Sequence, residues 1–475
     1  MKRNFLLLTF LVVMNSIFSP GKLEFNKNEN ISLLTPSTPY QVFLPIVEKA
    51  QLVGYFVSPD GSDTNPGTFL LPWKTIGKAA AMVSPGDTVY IRAGIYIEAP
   101  RFAISGTESD PIKILAYPGE TPVVDGLNQL PLSYRGLVSV FGDWVQISDI
   151  EIRNSLYTGL GLYGKHDTAN NIYTHHSQKE GIFIGGDYGI VENSLVWRNS
   201  MQNEGGISSS WSPGLVAGND ISDGITEYGI IRKNIVWENW GEGINTNEAN
   251  GTTIEDNISH DNFSTNIYIS DATNILCQRN FVFMDPLSYV YGYGSNVGIM
   301  MGDELYTPPS ANIQVLNNLG YGNHRNFHWW QGVQGGGMYN VLIANNTFVN
   351  ATGESSLGQG NVIIGLGEHF NVRFINNLVR QDDALPVIAT INQPGVYYSN
   401  NLWSDPPYPA ASGPGDIIAD PLLAEFGSPF SPDWFRLLAT SPAIGHALSL
   451  PEVLVDYFAN WRGSMPDMGA VEDFP

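Results

Sequence analysis

Three asparagines, Asn234, Asn257 and Asn280, recur 23 residues apart, and each is followed by an apolar residue: Ile235, Ile258 and Phe281. Glu248 and Asp271 each stand 14 residues after their own asparagine, so the period carries more than one column. A chain repeating at this length reads as a coil that rewinds on itself, each turn burying its apolar face against its neighbours. The column continues through Asn318, Asn346, Asn377 and Asn401, at intervals of 38, 28, 31 and 24 residues, with Ser194 in the same place one coil earlier. The core repeat is fixed, and the extra residues fall in loops.

Around this column Ile231, Ile254, Val315, Ile343 and Phe374 alternate with polar residues at period two, the pattern of inward-facing strand positions. An asparagine at each corner can bond its own backbone and the adjacent coils, and it tolerates the left-handed dihedrals of a sharp turn. A second strand follows each corner, aligned on Gly181-Ile182, Gly206-Ile207, Gly243-Ile244, Asn266-Ile267 and Gly298-Ile299. Insertions at 212–227, 285–295, 304–311 and 331–338 gather beside it, and long loops on one side of a solenoid make groove walls.

Composition agrees. The 475 residues could form several domains, but the repetition favours one elongated domain. The 50 glycines, the Asn-rich turns and the scarcity of amphipathic helical patterns point to an all-β chain. A net charge of −23 with no basic run excludes nucleic acid and an anionic membrane surface as partners. The single cysteine, Cys277, rules out an intrachain disulfide and falls at an inward strand position. Lys2 and Arg3 precede an apolar run from Phe5 to Phe18, which reads as a secretory signal over 1–19, with a Pro-containing linker over 20–52. Export to the extracellular space or cell surface is expected, with no membrane span in the mature chain and a monomeric state.

The run YFVSPDGSDTNPGT, the short helix expected at 74–83 and the PIKILAYPGETPVVDG stretch together resemble the opening of secreted right-handed parallel β-helix proteins of the pectate-lyase-like superfamily. The resemblance implies that the helix plugs the first coil. The end of the chain, from DPLLAEFGSPF onward, resembles the tail of bacterial secreted β-helix proteins, in which it closes the last coil. The expected architecture is all-β: a single-stranded right-handed parallel β-helix over 53–420, with an N-terminal cap helix and a closing segment over 421–475.

Several residues could carry chemistry. Four residues beyond Ile244, Ile267 and Ile299 stand Glu248, Asp271 and Asp303, with Glu304 beside them; in register they would stack at one sheet end, where like charges so close call for a cation such as calcium. Glu180 and Glu242 occupy matching positions two residues before the aligned isoleucines, with Glu204 one residue off. Two coils would put Glu180 and Glu242 about 10 Å apart, near the separation used by inverting glycosidases. Lys233 and Arg325 are candidate bases for a lyase, although no lyase motif is matched residue by residue. Trp330, Tyr291 and Tyr293 offer aromatic platforms to sugar rings, and His328 could meet a substrate. Trp237, His260 and Phe283 are expected on an inward column. The expected function is degradation of a polysaccharide by a lyase or glycoside hydrolase; a non-catalytic glycan-binding or cell-surface protein is the alternative.

Overall fold

The computed structural model describes residues 52–473 apart from 220–223, 306–309, 354–358 and 392. The signal and linker expected before residue 52 lie outside the described residues. No helix among the described residues is long and apolar enough to cross a membrane.

Each coil lays one short strand in each of three parallel sheets of 13, 13 and 11 strands, visited in that order. In one coil Ile230–Arg232 lies in the first sheet, Ile235–Trp237 in the second and Ile244–Asn247 in the third. Most strands are three to six residues long, because the chain must turn a corner before the next sheet. The inward residues stack from coil to coil: Ile231 pairs with Ile254, Ile254 with Cys277, and Cys277 with Val315, all buried. Burial pushes the Cys277 thiol up to about 12, which leaves it an inert core side chain.

The expected asparagine column forms a continuous ladder. The Asn257 Oδ1 accepts from both the backbone N–H and the Nδ2 of Asn234 at 3.0 and 3.1 Å, while its own Nδ2 donates to Asn280 Oδ1 and to the Ile231 carbonyl. The pattern runs to Asn401, whose backbone N–H donates to Asp416. Every capacity of these buried amides is used, which is what their burial requires. The left-handed residue is the one before each ladder asparagine: Lys233, Asp256, Arg279 and Asn317 have φ of 57°, 57°, 51° and 53°. The ladder asparagine itself spends its side chain on neighbouring coils. Asn280→Ala would orphan the Asn257 N–H and leave the Ile254 carbonyl without its amide donor. At about 1–3 kcal/mol for each buried unsatisfied group, a loss of about 3 kcal/mol or more is expected in denaturant unfolding.

A second ladder, unforeseen from sequence, runs along the next corner: Asn199, Asn239, Asn262, Asn266, Asn323, Asn326 and Asn361 are joined side chain to side chain at 2.8–3.1 Å. The aromatic column differs as well. Val236, Ser259 and Val282 face the core, while Trp197, Trp237, His260 and Phe283 stack on the outer face of the second sheet with centroids 5.1, 6.2 and 4.4 Å apart. Ring stacking along the coil axis gives large apolar side chains a partner without a place in the core.

The cap helix spans Ile76–Met82; Thr75 caps it by accepting from the Lys78 N–H, and Glu98 accepts from the Ile76 and Gly77 N–H groups. Ile76, Ala79 and Ala80 enter the core at the first coil. At the other end Trp403 and Ala411 belong to that core. Residues 421–475 were expected to close this end. The described part runs back along the flank, packing Leu423, Trp434, Phe435 and Met468 on Phe281, Leu319, Leu378 and Leu402 of the second sheet's outer face.

Candidate active site

The outer face of the third sheet carries the functional groups. Register sets Ile182, Leu215, Ile244, Ile267, Ile299 and Phe327 side by side in the core. The residue after each therefore faces outward, giving a column Phe183, Val216, Asn245, Tyr268, Met300 and His328. A further outward column holds Gly218, Asn247, Ser270, Gly302 and Trp330. Gly206-Ile207 is not in this register: Gly214-Leu215 takes its place, and Ile207 is exposed in an inserted loop beside the short helix Met201–Gly206. The insertion expected at 212–227 is thus split by the strand Leu215–Gly218.

The first four of these strands floor a cleft of about 360 Å³, lined by Glu180, Trp211, Asn245, Tyr268, Glu242 and Glu304 among others. Glu180 and Glu242 stand two strand spacings apart, about 10 Å along the backbone ladder. Their Glu-Gly steps have a local cause. A Cβ on Gly181, Gly214 or Gly243 would come within 2.5–2.6 Å of the amides of Asn199, Asn239 and Asn262, so only glycine can pass over the second ladder. The residue before the glycine is left at the cleft, and in two of the three coils it is glutamate.

Each carboxylate is held differently. Thr158 Oγ1 donates to Glu180 Oε2 at 2.7 Å and the Tyr134 hydroxyl to Oε1 at 3.3 Å. The Tyr268 hydroxyl donates to Glu304 Oε1 at 2.6 Å. The Trp211 Nε1–H donates to Glu242 Oε1 at 2.7 Å. Burial raises the Glu242 carboxyl to about 7 against that hydrogen bond, with the charge of Glu304 adding to the rise. Glu242 is therefore a carboxyl that can carry a proton at neutral pH. Because the Trp211 donor favours the charged form, Trp211→Phe is expected to raise this value, moving the alkaline limb of any Glu242-dependent activity to higher pH in a pH–rate profile.

The stacked acids behave otherwise than expected. Their register holds, with Asn247, Ser270 and Gly302 aligned just before Glu248, Asp271 and Asp303. Their side chains are nevertheless committed separately. Asp271 accepts from the backbone N–H groups of Glu304 and Leu305, Asp303 from Ser310 and the Gly337 N–H, and Glu248 from Asn219. Left-handed backbone at Glu248 and Asp271 marks them as corner residues. Burial raises the Asp303 carboxyl above its ordinary range. Among the described residues no three His, Cys, Asp or Glu side chains are placed to hold a metal ion, so these acids do not fit as a calcium donor set. Asp271 instead positions the backbone at Glu304.

Lys233 is exposed at the corner between the first and second sheets, away from the cleft. Arg325 and His328 sit on the third sheet, two strand spacings beyond the level of Tyr268. Trp330 packs against the cluster of Tyr268, Val297 and Met300, next to the cleft; Gly302 permits this, since a Cβ there would meet the Trp330 carbonyl and the Tyr268 hydroxyl at 2.9 Å. Tyr291 and Tyr293 lie in the inserted loop after Asp285, against His324 and Trp240 respectively. Tyr268 and Asn245 escaped the sequence reading, yet strict alternation after Ile267 and Ile244 would have found them.

Comparison with known proteins agrees with this architecture. A model of the Pel9A-like right-handed β-helix region matches residues 55–205, and a model of the right-handed β-helix region matches 136–300. Pectate lyase PEL9 of Emericella nidulans is 28% identical over 43% of this chain, and the match spans only 52% of that protein. Pectate lyase L of Dickeya chrysanthemi is 23% identical over 88% of this chain and 90% of its own length. The crystal structure of pectate lyase Pel9A superposes with a TM-score of 0.55 at 21% identity, covering 88% of this chain and 96% of that one. XylC in complex with xylose gives a TM-score of 0.55 at 11% identity, over 89% and 98%. These solved structures share the fold. The chain is a right-handed parallel β-helix protein related to the pectate-lyase-like family.

Proposed function

We propose that the protein is an extracellular, monomeric carbohydrate-active enzyme that hydrolyses glycosidic bonds of a polysaccharide lying across the third sheet. Glu242 protonates the leaving oxygen, and Glu180 activates a water on the opposite side of the sugar. The observation that carries this reading is the Glu242 carboxyl, raised to about 7 in a cleft that also holds Glu180 two strand spacings away. That spacing approaches the roughly 6.5–9.5 Å between carboxyl groups of inverting glycosidases. Trp211 and Tyr268 supply aromatic surface for sugar faces. Lys and Arg are absent from the described cleft lining, so a cationic base for proton abstraction beside a uronate is not at hand there.

Kinship with proteins named pectate lyases supports a second reading, β-elimination. Calcium belongs to that reading, with Arg325 as its candidate base. A panel of polysaccharides, assayed with and without chelator, separates the two. New reducing ends that persist with chelator and lack the ultraviolet absorbance of unsaturated sugars are expected for hydrolysis. Chelator-sensitive release of unsaturated products would favour elimination, and no cleavage of any glycan would leave binding as the role.

A further inference from the structure

Arg325 is fully buried at the start of the strand Arg325–Gln331, and its guanidinium is only partly used. Nη1 lies 3.4 Å from His328 Nδ1, a long contact in which the histidine nitrogen accepts. Burial and the neighbouring arginine hold His328 down to about 3, so the ring is neutral and supplies no countercharge. Nε and Nη2 have no hydrogen-bond partner, and among the described residues no carboxylate pairs with this side chain. These two nitrogens form one edge of the guanidinium, with N–H bonds running parallel as a fork. Elsewhere in this chain the same edge is filled: Arg279 donates from Nε and Nη2 to the two oxygens of Asp256 at 2.7 and 3.1 Å. An arginine buried with an empty fork has lost its hydration without gaining a partner, which is costly unless an anion is supplied.

We propose that the open Nε–Nη2 edge of Arg325 binds one monovalent anion, a halide or a carboxylate, on the outer face of the third sheet beyond the cleft. The site is distinct from Glu242, and its occupancy does not depend on how the cleft cleaves its substrate. Two sources share this chemistry. A free halide would be resident in the protein alone; a carboxylate on the glycan would arrive with the substrate, since Arg325 shares the sheet face of Tyr268.

The test is thermal unfolding of the full chain in gluconate buffer at constant ionic strength, titrated with sodium chloride or sodium bromide. A saturable rise of a few degrees in Tm is expected for the wild type, because a ligand that binds only the folded state stabilises it in proportion to its occupancy. Arg325→Met should abolish the rise. Should that variant fail to fold, halide NMR line broadening by the wild type, reversed by excess acetate, reads the same site. Wild-type Tm insensitive to halide and to acetate, together with no line broadening and no competition by chloride against an acidic glycan, would overturn the proposal. So would a halide response unchanged in Arg325→Met. Chloride that raises KM for a carboxylate-bearing glycan, with KM for a neutral one unmoved, identifies the substrate carboxylate as the source. A halide rise in Tm with both KM values unmoved identifies a resident halide.

Discussion

Glu242→Gln is expected to lower kcat by about 10²–10⁴-fold, the usual contribution of a positioned proton donor, with little change in KM. Glutamine keeps the shape of the side chain and can still accept from Trp211 Nε1, so the cleft should stay intact. It cannot deliver a proton. The wild type should be active while Glu242 is protonated and lose activity as pH rises through about 7; the variant's residual activity should lack that limb. A substrate whose leaving group needs no proton should be hydrolysed by the variant with a much smaller loss, which separates lost proton donation from a damaged cleft. An equal loss on both substrates would mean that Glu242 shapes the cleft and transfers no proton.

Arg462→Ala is expected to cost about 3–5 kcal/mol of stability, the penalty for breaking a buried ion pair from one side. Arg462 pairs with Glu472 and donates to Asn317 Oδ1, the Asp467 carbonyl and the Gly469 carbonyl, so one guanidinium ties the tail to the coils. The Gly469 N–H donates to the Asn376 carbonyl, and Ala470 N–H to Thr347 Oγ1. Loss of Arg462 should loosen this seam and uncover Phe281, Leu319 and Leu378. Hydrogen exchange should rise first in residues 456–473, and the unfolding midpoint should fall. An unchanged midpoint would mean that the tail is held by its apolar contacts alone.

The first asparagine ladder could be read from sequence because its spacing survives every insertion: each loop enters away from the corner it occupies. The second ladder could not. In passing from Asn262 to Asn323 it moves onto Asn266, four residues on in the same coil, and from Asn323 it moves to Asn326, so no fixed period marks it. The Trp237 column was misassigned because bulky rings suggest a core, whereas here they stack outside it. Of the site, Glu242 was visible as a glutamate before a glycine that the second ladder demands. The acids after Ile244, Ile267 and Ile299 were aligned correctly, but their hydrogen bonds to inserted loops lie beyond what spacing conveys. Glu304 enters the cleft only because Asp271 holds its backbone.

The central claim is that the cleft adds water across the glycosidic bond. Cleavage of an accepted polysaccharide in heavy-oxygen water, followed by mass spectrometry of the products, tests it most directly. Hydrolysis through Glu242 and Glu180 predicts one solvent oxygen at each new reducing end, with the labelled product nearly absent from Glu242→Gln. Products carrying no solvent oxygen and an unsaturated sugar at the new non-reducing end would contradict it.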